Sequence, residues 1–174
     1  MSEEAPRVLG IDPGTAIMGY GIVEERAGKL LGVTHGVLLT PKGEPLPERL
    51  LRLYQGLHAL IAADLPSVMA IEALFFNRNV RTALAVGHAR GVALLVAAQM
   101  GLPVVEYAPQ QVKDAVVGYG AASKEQVQRM VTTLLGLREI PRPDDAADAL
   151  AIAICHVHSA RFSSLMTAPV VGAR

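Results

Sequence analysis

The sequence predicts an α/β domain built on a mixed five-stranded sheet with helices on both faces. Three observations carry this. Residues 7–39 hold three consecutive β-rich runs separated by short turns. The hydrophobic period then changes at Leu46 from strand-like to helical. Beyond that point helix-like and strand-like segments alternate, as they do when helices cover both faces of a sheet.

After a short lead over residues 1–6, "RVLGIDPG" reads as a strand closed by a turn at Pro13-Gly14. "IMGYGIVEE" and "KLLGVTHGVLL" follow, joined by "RAG" in hairpin fashion, so the three runs predict an antiparallel meander. "TPKGEPLP" is a loop. Leu46, Leu50, Leu53, Leu57, Leu60 and Ile61 then mark a helix that stops near Asp64, ahead of Pro66. "SVMAIEALFF" (67–76) has the continuous apolar character of a strand covered on both faces. Asn79 suits the cap of a helix running to about Met100, with Gly101 as its stop. "PVVEYAP" is a fifth strand and "QQVKDAVV" a short helix. Ser123 with Gln126 forms a capping-box pattern for a helix to about Leu135. A last helix is expected from about Asp144 to Ala160, with residues 163–174 as a tail. No repeat or linker divides the 174 residues, which fit a single domain.

Half of the residues (51 %) are hydrophobic and 18 % are charged, so the chain can bury enough surface to fold alone. The lone cysteine, Cys155, excludes an internal disulfide framework and fits a reducing cytoplasm. The acidic start Met1-Ser2-Glu3-Glu4 lacks the basic region of a secretory signal. The longest uncharged run, Gly91 to Val105, is shorter than the ~20 residues of a membrane span. Together these predict a soluble intracellular protein. Net charge is zero but uneven: residues 1–75 carry 6 basic and 9 acidic side chains, residues 76–138 carry 7 and 3, and residues 139–174 carry 3 and 4. A basic middle beside acidic flanks suits a phosphate-facing surface next to a carboxylate site.

Several acids lie in apolar company. Asp12 closes the first strand, Glu72 sits in "MAIEALFF", and Asp144, Asp145 and Asp148 head the apolar final helix. An ionised carboxylate in such surroundings must be paired, hydrogen-bonded or bound to a metal. No Lys or Arg shares these runs, which points to a divalent cation. All-oxygen ligands favour Mg²⁺ or Mn²⁺, and Cys155, His156 and His158 on one helix do not form a zinc site. Asp144, directly after Pro143, suits an N-cap. Asp145 suits either a first-turn dipole partner or a ligand. Asp148 lies beyond the reach of capping. Helical spacing lets either Asp144 or Asp145 pair with it.

The motifs "GIDPGTAIMGYGIV", "AIEALFF", "ARGVALL", "YAPQQVKDAVVGYG", "SKEQVQRMV" and "DAADALAIAICH" occur in this order over Val8 to His158. In that combination the chain resembles the RuvC Holliday-junction resolvases of the ribonuclease H-like superfamily. The resemblance implies a five-stranded mixed sheet and a homodimer. It selects Asp145 over Asp144, giving Asp12, Glu72, Asp145 and Asp148 as the catalytic, metal-binding tetrad. It implies two Mg²⁺ ions per site, with Mn²⁺ able to substitute, and in-line hydrolysis of four-way DNA junctions to 5′-phosphate and 3′-hydroxyl ends in recombination and repair. It also implies DNA contacts by Phe75, Lys113 and Lys124. Arg78, Arg81 and Arg90 are expected to divide between DNA and the dimer partner; of these, Arg78 and Arg81 are assigned to DNA. Branch-migration motors are implied as partners, and action at the nucleoid in the bacterial cytoplasm as the location. Setting the four acids aside leaves a net charge of +4, so a local basic surface and strong salt sensitivity are expected.

Three other readings compete. A related YqgF-like RNA-processing nuclease shares a strand-end Asp, but its surroundings fit "AIEALFF" and "DAADALAIAICH" less well. A sugar-kinase or actin-like ATP module shares the look of "DPGTAIMGYG" but needs two such lobes. A non-catalytic junction-binding protein would keep the acids only for the fold.

Overall fold

The computed structural model describes residues 6–73 and 80–167. Its elements run β1 (Arg7–Asp12), β2 (Ile17–Arg26), β3 (Lys29–Leu39), α1 (Leu46–Asp64), β4 (Val68–Glu72), α2 (Val80–Gln99), β5 (Val104–Tyr107), α3 (Pro109–Val117), α4 (Lys124–Leu134) and α5 (Asp144–Thr167). The strands form one sheet in the order β3-β2-β1-β4-β5. The β1–β2 and β2–β3 pairs are antiparallel, and β1–β4 and β4–β5 are parallel. The mixed sheet expected from the sequence is the sheet observed.

Local chemistry explains the boundaries. Arg26 pairs with Lys29 across a two-residue turn at Ala27-Gly28, both with positive φ, the geometry that continues strand twist through a hairpin. α1 buries Leu53, Leu57 and Ile61, spaced by four, and ends where Leu65 turns left-handed and donates to the Ile61 carbonyl ahead of Pro66. Ser123 and Gln126 close the predicted capping box: the Ser123 N–H donates to Gln126 Oε1 at 2.7 Å, and the Gln126 N–H donates to Ser123 Oγ at 3.3 Å.

Two expectations need correction. β4 ends at Glu72, so the strand is shorter than 67–76, and Glu72 closes it instead of lying within it. Phe76 and Asn79, the proposed cap of α2, lie outside the described residues. α5 runs on to Thr167, into the stretch assigned to a tail, because nothing from Ser163 to Thr167 breaks a helix.

Strand alternation sorts the core into two layers. Leu9, Ile11, Met69 and Ile71 face α1 and α2. Val8 and Ala70 face α3, α4 and α5. On this second face α5 lies directly on strand backbone. A Cβ at Gly10 would overlap the Ala149 carbonyl, one at Gly19 the Asp145 carbonyl, and one at Gly21 would meet Leu150 Cδ2 at 2.7 Å. These glycines remove the side-chain layer that ordinarily separates helix from sheet.

Gly19→Ala therefore forces a methyl against main chain that cannot rotate away. It is expected to destabilise the protein by about 1–3 kcal/mol, the usual cost of overpacking. Urea unfolding measures this, and wild-type stability in Gly19→Ala would show that the close approach is not required.

Candidate active site

Parity along the strands brings the acids together. Asp12 has the orientation of Val8 and Gly10, and Glu72 that of Ala70, so both carboxylates point to the α5 face. The parallel register Ile11↔Ile71 sets the two strand ends side by side. Asp12 pairs with Gly19, and the Asp145 carbonyl lies over Gly19, so the first turn of α5 starts beside Asp12. The turn after Asp12 is fastened by Thr40, whose Oγ1 donates to the Thr15 carbonyl at 2.7 Å and whose N–H donates to the Ala16 carbonyl at 3.1 Å.

A cleft of about 270 Å³ opens at this point, lined by Asp12, Glu72, Lys113, Lys124 and Asp148 among others. Five residues singled out in the sequence thus share one site. Asp145 does not line the cleft but adds its negative charge to Asp12. A larger cleft of about 630 Å³ lies elsewhere, by the β2–β3 hairpin and the end of α4; its charged residues, Glu25, Lys29 and Arg161, belong to no predicted site.

The acids disturb one another. Burial and the charges of Asp148, Glu72 and Asp145 push the Asp12 carboxyl up to about 7, against the pull of Lys124. Burial and Asp148 raise Glu72, opposed by Lys113. Burial also raises Asp148, outweighing its contact with Lys124. Burial acts to lower Lys124, but its bond to Asp148 and the charges of Asp148, Asp144 and Asp12 hold it above its ordinary value. Such a group of oxygen donors, short of positive charge, fits a hard divalent cation. Among the described residues, no three of these side chains are gathered tightly enough to form a ready-made metal cage.

The structure changes three assignments. A base does reach Asp148: Lys124 Nζ lies 2.8 Å from its Oδ2, delivered by α4 from a part of the chain where sequence proximity gave no sign of it. Asp144 is the first residue of α5, not its cap. Its carboxylate faces Arg142 Nη1 at 2.8 Å and Lys124 Nζ at 3.6 Å instead. Arg90 is buried on the opposite face of the sheet, where Nη1 donates to the Glu72 carbonyl at 2.8 Å and Nη2 pairs with Glu106. Phe75, Arg78 and the side chain of Arg81 lie outside the described residues. His156 shares a 2.9 Å hydrogen bond with the Tyr107 hydroxyl, and the His158 ring donates to the Ala115 carbonyl at 2.8 Å, so both fasten α5 to its neighbours.

A five-stranded mixed sheet with acids at the ends of adjacent central strands, faced by an acid-headed helix, defines a nuclease of the ribonuclease H-like class. The family model for the crossover junction endodeoxyribonuclease RuvC matches residues 8–156. The chain belongs to the RuvC family. It is 59 % identical to the RuvC of Desulfitobacterium hafniense over 159 residues, covering 91 % of this chain and 96 % of that one. It is 62 % identical to the RuvC of Chloroflexus aggregans over 154 residues, covering 88 % and 94 %. Among solved structures, T. thermophilus RuvC in complex with a Holliday junction substrate superposes with a TM-score of 0.86 at 41 % identity, covering 91 % of this chain and 97 % of that one. The yeast mitochondrial Holliday junction resolvase, at 19 % identity and a TM-score of 0.66 over 94 % and 83 %, shares the fold. No helix among the described residues is long and apolar enough to cross a membrane.

The raised Asp12 carboxyl has a consequence for stability. The folded chain keeps a proton that the unfolded chain releases, from the ordinary 3.8 up to about 7, so stability falls as pH rises through that window. Asp12→Asn removes the penalty. In EDTA at about pH 8 it is expected to raise the melting temperature, by a stabilisation on the order of 1–4 kcal/mol, with little change at about pH 4. A lower melting temperature for Asp12→Asn at the higher pH would contradict this charge crowding.

Proposed function

We propose that this chain is a structure-selective endonuclease that resolves four-way DNA junctions by paired phosphodiester hydrolysis, leaving 5′-phosphate and 3′-hydroxyl ends. The observation that carries the reading is the single cleft in which Asp12, Glu72 and Asp148, from β1, β4 and α5, meet Lys113 and Lys124. Relatives 59–62 % identical are named crossover junction endodeoxyribonucleases, and the T. thermophilus relative is seen with a Holliday junction. These names favour DNA junctions over the RNA-processing alternative.

Asp12, Glu72, Asp145 and Asp148 would hold the divalent ions, Mg²⁺ by preference, two per site. Bound there, such ions supply a water acidic enough to attack near neutral pH and offset charge on the scissile phosphate. The chain contributes the rest. Lys113 and Lys124 present cations to the DNA phosphates at the cleft. Lys124 also balances Asp148. The β1 and β4 strand ends set Asp12 and Glu72 side by side on paired backbone, leaving their side chains to close on the ion. Phe75, Arg78 and Arg81 are assigned to the DNA on the family resemblance alone.

Paired cutting requires two sites, and the α2 surface supports a homodimer. Leu84 and Leu95, 59 % and 57 % exposed, lie on the same helix face as exposed His88 and Gly91, an apolar stripe of the kind a second copy would cover. The chain acts as a single domain in the bacterial cytoplasm, at the nucleoid, beside a branch-migration motor.

Synthetic four-way junctions with Mg²⁺, Mn²⁺ or EDTA test the activity, and precursor RNA tests the alternative. Asp148→Asn is expected to lower cleavage beyond the roughly 10–100-fold typical of losing an outer partner of a metal site, while junction binding persists. Asp144→Ala, which loses only exposed ion pairs, is expected to keep cleavage and cost at most about 1 kcal/mol. An inactive Asp144→Ala beside an active Asp145→Ala would reverse the assignment of these two acids.

A further inference from the structure

The back of the sheet carries a buried cation aimed at the end of β4. Arg90, on α2, is only 8 % exposed. A guanidinium so placed must be matched by acceptors, and among the described residues it has two: the Glu72 backbone carbonyl at 2.8 Å and the Glu106 carboxylate on β5. Both contacts suit a rigid fork whose donors point to separate partners.

The acceptor on β4 is informative. The β1–β4 ladder has its last pair at Ile11↔Ile71, and β1 ends at Asp12, ahead of Pro13, which has no N–H to offer the Glu72 carbonyl. On the other edge, Glu72 is opposite Tyr107, and the Ala73 N–H donates to the Tyr107 carbonyl at 2.8 Å. The end of β4 is therefore held by β5 on one edge, while on the other its last carbonyl is taken by Arg90. Glu106 is in register with Ile71, whose side chain lies on the α2 face, so Arg90 grips this strand end from behind. The Glu72 carboxylate points to the opposite face, into the cleft. Without Arg90, the carbonyl of the residue carrying that carboxylate would lose the guanidinium that holds it.

We infer that Arg90 is a positioning residue for the Glu72 carboxylate, fixing the end of β4 through the Glu72 carbonyl and tying it to α2 and Glu106. The inference rests on the proposed role of Glu72 as a cation ligand. It also links the helix that bears the apolar stripe to one of the acids in the cleft.

The test uses the whole protein with Arg90→Lys, Arg90→Met, Glu106→Ala and, as a reference, Glu72→Gln. Three quantities are measured: the Mg²⁺ concentration for half-maximal cleavage of a four-way junction, the Mg²⁺-induced rise in melting temperature without DNA, and junction affinity in EDTA. Folded Arg90 variants are expected to need about 10-fold or more Mg²⁺ and to show a smaller Mg²⁺-induced rise, with junction affinity unchanged. Glu106→Ala is expected to shift both in the same direction by less. Folded Arg90 variants with wild-type Mg²⁺ dependence would overturn the inference, as would lost junction affinity with an unchanged Mg²⁺ requirement. Should the Arg90 variants fail to fold, Glu106→Ala decides: a raised Mg²⁺ requirement supports the role and a wild-type one overturns it. A Glu72→Gln protein that cleaves with normal Mg²⁺ dependence would defeat the reading of Glu72 itself. An inactive Glu72→Gln beside normal Arg90 variants would defeat only the role of Arg90.

Discussion

The close seating of α5 on bare strand backbone is the constraint from which the site follows. A helix packed on a sheet through ordinary side chains stands about 10 Å away, a typical layer spacing. Here Gly10, Gly19 and Gly21 leave no side chain between, and the Ala149 and Asp145 carbonyls occupy the space a methyl would need. The helix start comes down beside the end of β1, and Asp148 enters the same cleft as Asp12 and Glu72. The buried Ala146, Ala147, Ala149 and Ala153 complete the fit from the helix side. Small residues on both partners are thus a geometric requirement for gathering acids that are far apart in sequence.

That gathering works against the fold. An acid whose carboxyl is held up near 7 is destabilising when ionised, and Glu72 and Asp148 are displaced in the same direction. The protein tolerates this because the two faces of its sheet have different tasks. The α1/α2 face is an apolar layer of Leu9, Ile11, Met18, Ile22, Met69 and Ile71, all fully buried, with the Arg90–Glu106 pair at its edge. It supplies cohesion independently of the charged end of the α5 face. Lys124 offsets part of the excess at Asp148, and Arg142 draws off the neighbouring Asp144. A divalent cation, which brings two charges to the same oxygens, completes the compensation and explains why the cluster is acidic instead of paired throughout with bases.

Most of the architecture was readable in the sequence because local signals agreed. The meander, the α1 boundaries, the Ser123–Gln126 box and the five strands rest on periodicity, turn residues and caps that act within a few positions. The acids were legible for a related reason: Glu72 and Asp148 each break an apolar pattern without a local excuse, and Asp12, which also suits the turn into Pro13-Gly14, closes an apolar strand. Long-range contacts were not legible. Lys124 and Asp148 meet only because α4 packs on α5, and Arg90 finds Glu72 and Glu106 only across the sheet. The glycines of "GID" and "GYG" look like ordinary turn or strand residues until a helix is laid over them. The choice between Asp144 and Asp145 came from family resemblance, since spacing permits both. The structure adds that Asp144 has bases of its own, whereas Asp145 lies over Gly19 and acts on Asp12.

The central claim is that α5 brings its acids to the β1 and β4 strand ends to hold a divalent cation. Anomalous diffraction from crystals of the protein grown with Mn²⁺ tests it most directly. The account predicts a manganese peak in the cleft within coordination distance, about 2.0–2.3 Å, of carboxylate oxygens from Asp12 and from at least one of Glu72 and Asp148. Ordered crystals in Mn²⁺ with no peak there, or with manganese only at carboxylates outside the cleft, would contradict it.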